Sequence, residues 1–203
     1  MMKKLILASN NKDKLKEIRE ILKDIDIEIF SLKDMKIDID IEEDGITFID
    51  NAYKKAKTIF DILNNKEEYM VLADDSGLCV DALGGEPGVY SARFAGEHGN
   101  SKKNNEKLLK LMKEENNRRA KFICAMVLVI SDDTIIKVQG QVQGIIGYDN
   151  KGTNGFGYDP LFYVPELKKT FGEVNSKEKN LISHRSRALN KLKTELIKYI
   201  QEA

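Results

Sequence analysis

Two apolar-rich segments, residues 119–131 and residues 134–144, lie on either side of the dipeptide Asp132-Asp133. Two such segments separated by a short polar turn predict a β-hairpin. A hairpin joins antiparallel strands, whereas the strands of an all-parallel sheet need long crossover connections. We therefore expect the chain to fold around a sheet that is not all parallel.

The other segments predict helices interleaved with strands. Residues 3–9 form a short apolar strand, and from Asp13 the apolar residues recur at helical spacing, so the chain opens as strand, turn and helix. Residues 25–29 and 37–41 alternate apolar and polar side chains, as half-exposed strands do. A further strand is expected at residues 70–74, and helices are expected at residues 47–63 (with Thr47 as N-cap), 90–94, 104–115 and 183–201. The pattern predicts a mixed α/β protein, with one domain over residues 1–203.

The charge balance and the apolar runs exclude some classes of partner. Lys and Arg number 33, and so do Asp and Glu, so the formal net charge is zero. Because nucleic acid polymers are usually bound by a net basic face, we do not expect one as the partner. The longest apolar run, residues 122–130, is much shorter than the ~20 residues that span a bilayer, and the N-terminus lacks the features of a signal peptide.

The cysteine content indicates the compartment. Only Cys79 and Cys124 occur, each in an apolar stretch, which is typical of cysteines packed in a core. A disulfide framework is therefore not expected, and the reducing cytoplasm fits the sequence.

The stretch MVLADDSGLC, residues 70–79, places two carboxylates directly after an apolar strand. Neighbouring strand residues point to opposite faces, so Asp74 and Asp75 serve one site only if the strand ends there, and Ser76-Gly77 indicates that it does. Two close carboxylates repel each other and need a cation between them or a shared proton, and Mg²⁺ is a suitable cation. The alternative is a helix cap beside an exposed turn residue. A haloacid-dehalogenase-type phosphatase would separate its aspartates by one residue, a spacing that is absent.

Two further polar stretches fit a phosphate ligand. Ser9-Asn10-Asn11-Lys12-Asp13-Lys14 lies at a strand-to-helix turn, where free backbone N–H groups favour an anion. The acidic turn of residues 42–45 precedes a helix that carries Asn51, Lys54 and Lys55. Each stretch alone also fits an ordinary solvated loop.

Two later stretches fit recognition of a flat ligand. In residues 153–160 two glycines bracket Phe156, which could stack on a base or anchor the loop to the core. Lys179 precedes Ser183-His184-Arg185, which open the last helix. Cations are unfavourable in the first turn of a helix, so a bound acceptor would explain them, and arginine reads the O6/N7 edge of a purine well.

Taken in order, these stretches resemble the Ham1-like family of non-canonical purine nucleoside triphosphate pyrophosphatases. The resemblance covers nearly the whole chain and rests on ASNNKDKLKEI, EEDGITFIDNAYKKA, LADDSGLCVDALGGEPGVYSAR, RRAKFICAM, TNGFGYDPLF and EKNLISHRSRAL. It implies an elongated α/β fold of two lobes around a long mixed β-sheet, with an active-site cleft between the lobes. It also implies a homodimer that uses Mg²⁺, with Mn²⁺ as a substitute, to hydrolyse ITP, dITP or XTP to the monophosphate and pyrophosphate and so cleanse the nucleotide pool.

The resemblance also implies roles for individual residues. Asp75 matches the carboxylate that binds metal and activates water, Glu42 matches a metal-binding glutamate, and Asp74 matches a supporting ligand. The matches to substrate-binding positions are Ser9, Asn10, Asn11, Lys12, Asp13 and Lys14 for phosphate, Lys55 and Ser76 for the triphosphate, Phe156, Gly157, Tyr158 and Asp159 for the base, and Lys179, His184 and Arg185 for the nucleotide, including its 6-keto edge. Asn10, where many members have glycine, and the acidic Asp13 depart from the pattern.

Two other functions stay open at this point. A Maf-like pyrophosphatase would act on modified pyrimidine triphosphates, but the GFGYDP and SHR segments are of the purine type. A protein that only senses nucleotides would use the same pocket, but it would not need a carboxylate that activates water.

Overall fold

The computed structural model of the chain describes residues 3–202, which form a mixed α/β structure. The strands are β1 (Lys3–Leu7), β2 (Ile27–Ser31), β3 (Tyr69–Val80), β4 (Arg119–Val129), β5 (Ile135–Ile146), β6 (Phe162–Val164) and β7 (Lys169–Thr170). The α-helices are α1 (Lys12–Leu22), α2 (Phe48–Asp61), α3 (Ser101–Leu111), α4 (Ser176–Ile182) and α5 (His184–Glu202). Short 3₁₀ helices lie at Lys66–Glu68, Asp81–Leu83, Gly88–Arg93 and Phe171–Glu173.

The strands of residues 3–202 pair into one mixed sheet in the order β2-β1-β3-β4-β5-β6-β7. Strand β1 runs parallel to β2 and to β3, whereas β6 runs antiparallel to β5 and to β7. The predicted hairpin is confirmed: β4 and β5 are neighbours joined by a tight turn in which Ile130 N donates to Thr134 O over 3.0 Å. The predicted mixed α/β class is confirmed with it.

Two compact units divide the chain. The first comprises the residues up to Asp75, Cys124–Gly140 and the residues from Arg185 onward. In this unit β3 is covered on both faces: Met70 and Leu72 pack in a cluster with residues of α1 and α5, and Val71 and Ala73 pack in a cluster with residues of α2. Strands buried on both faces read as continuous apolar runs, as residues 70–73 do.

The second unit comprises Ser76–Ile123 and Gln141–His184. Its core is aromatic, with Phe162 between Phe122 and Phe171 at ring-centroid distances of 4.5 and 5.4 Å. Leu108 of α3 is fully buried in the same cluster. The helix expected at residues 104–115 is therefore present as α3, and its Leu108 side chain packs in this core.

Three expectations about local structure were wrong or incomplete. Strand β3 does not end at Asp74 but continues through Ser76 and Gly77 to Val80, because pairing with neighbouring strands overrides the local turn propensity of Ser-Gly. Residues 37–41 are not a strand; their alternating isoleucines are half-buried and pack against the cluster around α2. Helix α4 was not expected at all.

The N-cap predicted for α2 is confirmed. Thr47 caps α2, since its hydroxyl oxygen accepts from Asp50 N. Both cysteines are free thiols, one buried and one half-buried. Within residues 3–202 no helix has the length and apolarity needed to cross a bilayer. The cleft implied by the resemblance stays a prediction.

Candidate active site

The two adjacent aspartates of β3 face different surroundings. Side chains of a strand alternate between its faces, and β3 still has strand conformation at both positions. Asp74 therefore follows Met70 and Leu72 toward the cluster that includes residues of α1 and α5, and Asp75 follows Val71 and Ala73 toward α2. The adjacent carboxylates thus belong to two separate polar environments.

Asp74 lies in a buried network of ion pairs. Its Oδ2 atom is 3.1 Å from Lys14 Nζ and 3.2 Å from Arg185 Nη2, and Arg185 Nη1 pairs with Glu17. Asp74 and Arg185 are each 1% exposed. Burial lowers the pKa of Arg185, but the charges of Asp74 and Glu17 outweigh it, so the guanidinium stays charged. The charge of Asp74 is thus balanced by cations of the chain itself.

Asp75 lies beside an amide, a lysine and a second carboxylate. Asn51 Nδ2 donates to Asp75 Oδ2 over 3.0 Å, and both residues are buried. Burial raises the pKa of Asp75 above its ordinary value, the charges of Lys55 and Lys14 oppose that rise, and the charge of Glu43 adds to it. Asp75 therefore combines two properties of a general base, namely restricted solvation and fixed orientation.

Lys55 connects the acidic turn to β3. Its Nζ atom donates to Glu43 Oε1 over 2.5 Å and to the main-chain oxygen of Asp74 over 2.8 Å. Burial lowers the pKa of Lys55, but the charges of Asp75, Glu43 and Asp74 together raise it above its ordinary value. A charged lysine is therefore fixed beside Asp75.

The acidic turn presents Glu43 to this cluster. Glu42 is exposed and has no ion pair among the described residues, whereas Glu43 is half-buried against Lys55. The metal-binding role predicted for Glu42 stays a prediction, and Glu43 is the glutamate that the structure brings to Asp75.

The strand, turn and helix predicted at the start of the chain are confirmed. Main-chain N–H groups of the turn, however, already donate to side-chain oxygens of the turn itself. Asn11 caps α1, with its Oδ1 atom accepting from Asp13 N and Lys14 N, and Ser9 Oγ accepts from Asn11 N over 3.2 Å. Asn10, Asn11, Lys12 and Asp13 are exposed, and Lys14 is half-buried beside Asp74. Phosphate binding by this turn stays a prediction.

In the second unit, Asp159 organises the glycine-bearing loop. Its Oδ2 atom accepts from Phe156 N over 2.8 Å and from the buried Lys179 Nζ over 2.7 Å. Lys179 Nζ also lies 4.8 Å from the ring centroid of Phe156. Gly155 has a φ of +72°, and a Cβ there would approach Asp159 Oδ2 to 2.0 Å, so this turn requires glycine.

The remaining predicted residues are mostly buried. Tyr158 packs in the aromatic core, where its hydroxyl donates to Ser91 O over 2.9 Å and burial raises its pKa well above the ordinary value. His184 stacks on Phe122 with ring centroids 4.8 Å apart. Gly157 is half-buried in the loop, and its carbonyl accepts from Asn105 Nδ2 over 3.2 Å. Ser76 is half-buried on β3.

The carboxylates beside α2 fit a hard divalent cation. No group of three or more His, Cys, Asp and Glu side chains arranged to hold a metal occurs in residues 3–202. Mg²⁺, however, is usually held by one or two carboxylates together with waters and substrate phosphates. Asp75 and Glu43 supply that donor set, whereas Asp74 is paired with Lys14 and Arg185.

Sequence reasoning missed Glu17, and it assigned no role to Asn51 or Glu43, although both lie in the stretch that it singled out around the acidic turn. For Asn51 a signal was present, because it lies four residues before Lys55 and so on the same face of α2. For Glu17 it was also present, since Lys14 and Glu17 are three residues apart on α1. For Glu43 no sequence signal distinguishes it from Glu42.

Comparison with known proteins gives a consistent result. The model of the Ham1 family matches residues 5–195. A dITP/XTP pyrophosphatase of Clostridium tetani is 58% identical over 99% of this chain and 100% of its own length, and one of Haemophilus influenzae is 44% identical over 97% and 100%. The solved Ham1 protein of Staphylococcus aureus is 41% identical with a TM-score of 0.86, over 97% of this chain and 100% of that chain. The chain belongs to the Ham1 family.

Proposed function

We propose that this chain is a hydrolase that cleaves non-canonical purine nucleoside triphosphates, namely dITP, ITP and XTP, to the monophosphate and pyrophosphate. The observation that carries the proposal is the set of full-length relatives named dITP/XTP pyrophosphatase at 44–58% identity. The buried cluster of Asp75, Lys55 and Glu43 supports it, because the reaction needs a carboxylate base and cations. The reaction converts deaminated purine triphosphates to monophosphates and so removes these triphosphates from the nucleotide pool.

Asp75 is the catalytic base in this proposal. Its carboxylate orients a water molecule for in-line attack at phosphorus and accepts the proton of that water. Lys55 and Lys14 lie on either side of β3, near Asp75 and Asp74 respectively, and would neutralise charge on the triphosphate and on the leaving pyrophosphate. The exposed turn of residues 9–13 would bind the phosphates, and Ser76 would be a further contact.

A divalent cation, Mg²⁺ or in its place Mn²⁺, belongs to the proposal. Asp75 would hold it together with Glu43, with Glu42 as the neighbouring candidate and Asp74 as a supporting ligand. When bound, such an ion neutralises phosphate oxygens and lowers the pKa of a coordinated water.

The loop of the second unit would bind the base. Phe156 is half-buried, Gly157, Tyr158 and Asp159 belong to its loop, and Lys179 binds Asp159, while His184 stacks on Phe122 in the same unit. An aromatic ring stacks on any base, so selectivity needs a donor at the 6-keto position, where adenine has an amino group. Arg185 is the donor predicted from the sequence, although both its terminal nitrogens pair with carboxylates.

The role of Arg185 has its own test. Arg185→Ala should lower the ratio of kcat/KM for ITP to that for ATP, and this ratio is independent of how much of the variant is folded. An unchanged ratio would assign discrimination to other residues.

Further parts of the proposal concern organisation and location. The chain acts as one domain over residues 1–203, which the family match over residues 5–195 supports. It forms a homodimer in the cytoplasm, binds a small nucleotide and does not bind a nucleic acid polymer or a membrane. Two free cysteines and a net charge of zero support the compartment and the partner class.

One assay tests the proposed function against its alternatives. Pyrophosphate release is measured from dITP, ITP, XTP, GTP, ATP and modified pyrimidine triphosphates, with Mg²⁺ and with EDTA. The proposal predicts metal-dependent release, with kcat/KM for the deaminated purines about tenfold or more above that for ATP and GTP. Preference for modified pyrimidines would indicate a Maf-like activity, and binding without release would indicate a nucleotide sensor.

A further inference from the structure

Helix α2 holds the acidic turn through one of its faces. Lys54 Nζ donates to Asp44 Oδ1 over 2.7 Å, Lys55 Nζ donates to Glu43 Oε1 over 2.5 Å, and Gly45 N donates to Asn51 Oδ1 over 2.7 Å. Positions 51, 54 and 55 share a face because they are three and four residues apart. The turn is therefore fixed to α2 at three consecutive residues.

Asn51 differs from Lys54 because it also reaches β3. Its Nδ2 atom donates to Asp75 Oδ2 over 3.0 Å, while its Oδ1 atom accepts from Gly45 N. The orientation of the amide is determined by chemistry. A main-chain N–H can only donate, so the oxygen faces Gly45, and the NH₂ group then faces the carboxylate, which accepts.

The amide is enclosed on all sides. Asn51 is 0% exposed, and its own N–H donates to Thr47 O over 3.2 Å in the capped first turn of α2. A Cβ at residue 45 would lie 2.7 Å from Asn51 Oδ1 and 2.9 Å from Asp50 Cβ, so glycine is needed for this close approach. The side chain of Asn51 thus has little freedom to rotate.

From these contacts we infer that Asn51 is a positioning residue, whose amide fixes the carboxylate of Asp75 and the acidic turn in one mutual geometry. The inference rests on the proposed function, since it assigns Asn51 a role through the base Asp75. A misplacement of about 1 Å in a catalytic group can cost about 100-fold in rate, so the amide should affect turnover far more than nucleotide binding.

The test compares three variants with the wild type. Asn51→Leu removes both hydrogen bonds at similar volume. Asn51→Asp keeps an acceptor for Gly45 N but presents an oxygen to Asp75. Lys54→Met is the control. Lys54 lies on the same face of α2 and binds Asp44 of the acidic turn, but no hydrogen bond or ion pair joins it to β3 among the described residues. Folding is verified by circular dichroism and thermal melting, kcat and KM are measured with dITP, and dITP binding in EDTA is measured by calorimetry.

The inference predicts a fall in kcat of about 100-fold for both Asn51 variants, with KM for dITP and the Kd in EDTA within about threefold of wild type. Lys54→Met should keep kcat within about twofold. A kcat near wild type in either folded Asn51 variant would overturn the inference, and so would a loss that appears only in KM or an equal loss in Lys54→Met.

Two provisions keep the test decisive. If both Asn51 variants fail to fold, Gly45→Ala displaces the amide without removing it and should lower kcat about tenfold, and an unchanged kcat there would overturn the inference. If the wild type releases no pyrophosphate from any nucleotide, the proposed function fails instead. If the wild type is active and the folded Asn51 variants keep its kcat, only the inference is contradicted.

Discussion

In the first unit, each face of β3 carries a buried aspartate, but the surroundings of the two carboxylates differ. Asp74 is enclosed by Lys14 and Arg185, which neutralise it with ion pairs inside the core. Asp75, one residue later, faces an amide and a lysine that is shared with a second carboxylate. A buried carboxylate held by two ion pairs stabilises one geometry, whereas burial raises the pKa of Asp75, which suits a carboxylate that accepts a proton. From this comparison we propose a structural role for Asp74 and a chemical role for Asp75.

The strongest test of the Asp74 side is Asp74→Asn. Removing this carboxylate leaves Arg185 and Lys14 with one anionic partner fewer inside the protein, and breaking a buried pair costs about 3–5 kcal/mol. Urea unfolding in EDTA measures that loss of free energy, and Asp75→Asn serves as the matched control. A loss below about 1 kcal/mol, typical of an exposed pair, would contradict the structural role of Asp74.

Variants of the acidic turn test the surroundings of Asp75, the other carboxylate of the comparison. Glu43→Gln removes a charge that contacts Lys55, so kcat/KM for dITP should fall about 10–100-fold, and the Mg²⁺ concentration for half-maximal activity should rise. Glu42→Gln, its exposed neighbour, should stay within about threefold of wild type. The reverse order of the two variants would restore Glu42 as the metal-binding glutamate that the family resemblance implies.

The smallest expected effect is a dependence of stability on pH. Burial raises the pKa of Asp75 in the folded protein above its ordinary value of 3.8, so folding favours the protonated form, and the contribution of this group is lost as the pH rises through that raised pKa. Metal-free Asp75→Asn should therefore gain stability relative to wild type from about pH 4 upward. Urea unfolding across this range checks the sign, and a stability of Asp75→Asn that falls relative to wild type as the pH rises above about 4 would contradict it.

Local patterns in the sequence predicted much of the fold. The hairpin around Asp132-Asp133, the cap at Thr47 and the strand-turn-helix at the start depend on neighbouring residues, and all three are present. The end of β3 could not be predicted, because Ser76-Gly77 has the local pattern of a turn, whereas β3 continues past the end of its pairing with β1 at Leu72, beside its other neighbour β4. The alternation in residues 37–41 correctly indicated that the isoleucines are half-buried, but only the tertiary fold decides whether such a segment finds a strand partner.

The site was predicted in its residue types more than in its contacts. The sequence indicated a strand that ends at Asp74 and Asp75, which would let both serve one site, but β3 continues and its alternation separates the two carboxylates. The partners of each carboxylate could not be predicted, because Lys14, Glu17 and Arg185 are brought together by contacts between α1 and α5, more than 160 residues apart along the chain. The choice between Glu42 and Glu43 likewise depends on which side chain the turn directs toward α2.

The two sides of β3 are compared most directly by single-turnover hydrolysis of dITP with Asp75→Asn and Asp74→Asn under identical conditions, at a temperature where both are folded. We expect Asp75→Asn to bind dITP yet cleave it about 1,000-fold more slowly than wild type, while Asp74→Asn stays within about tenfold. A cleavage rate for Asp75→Asn near that of wild type, or one above that of Asp74→Asn, would contradict the assignment of chemistry to Asp75.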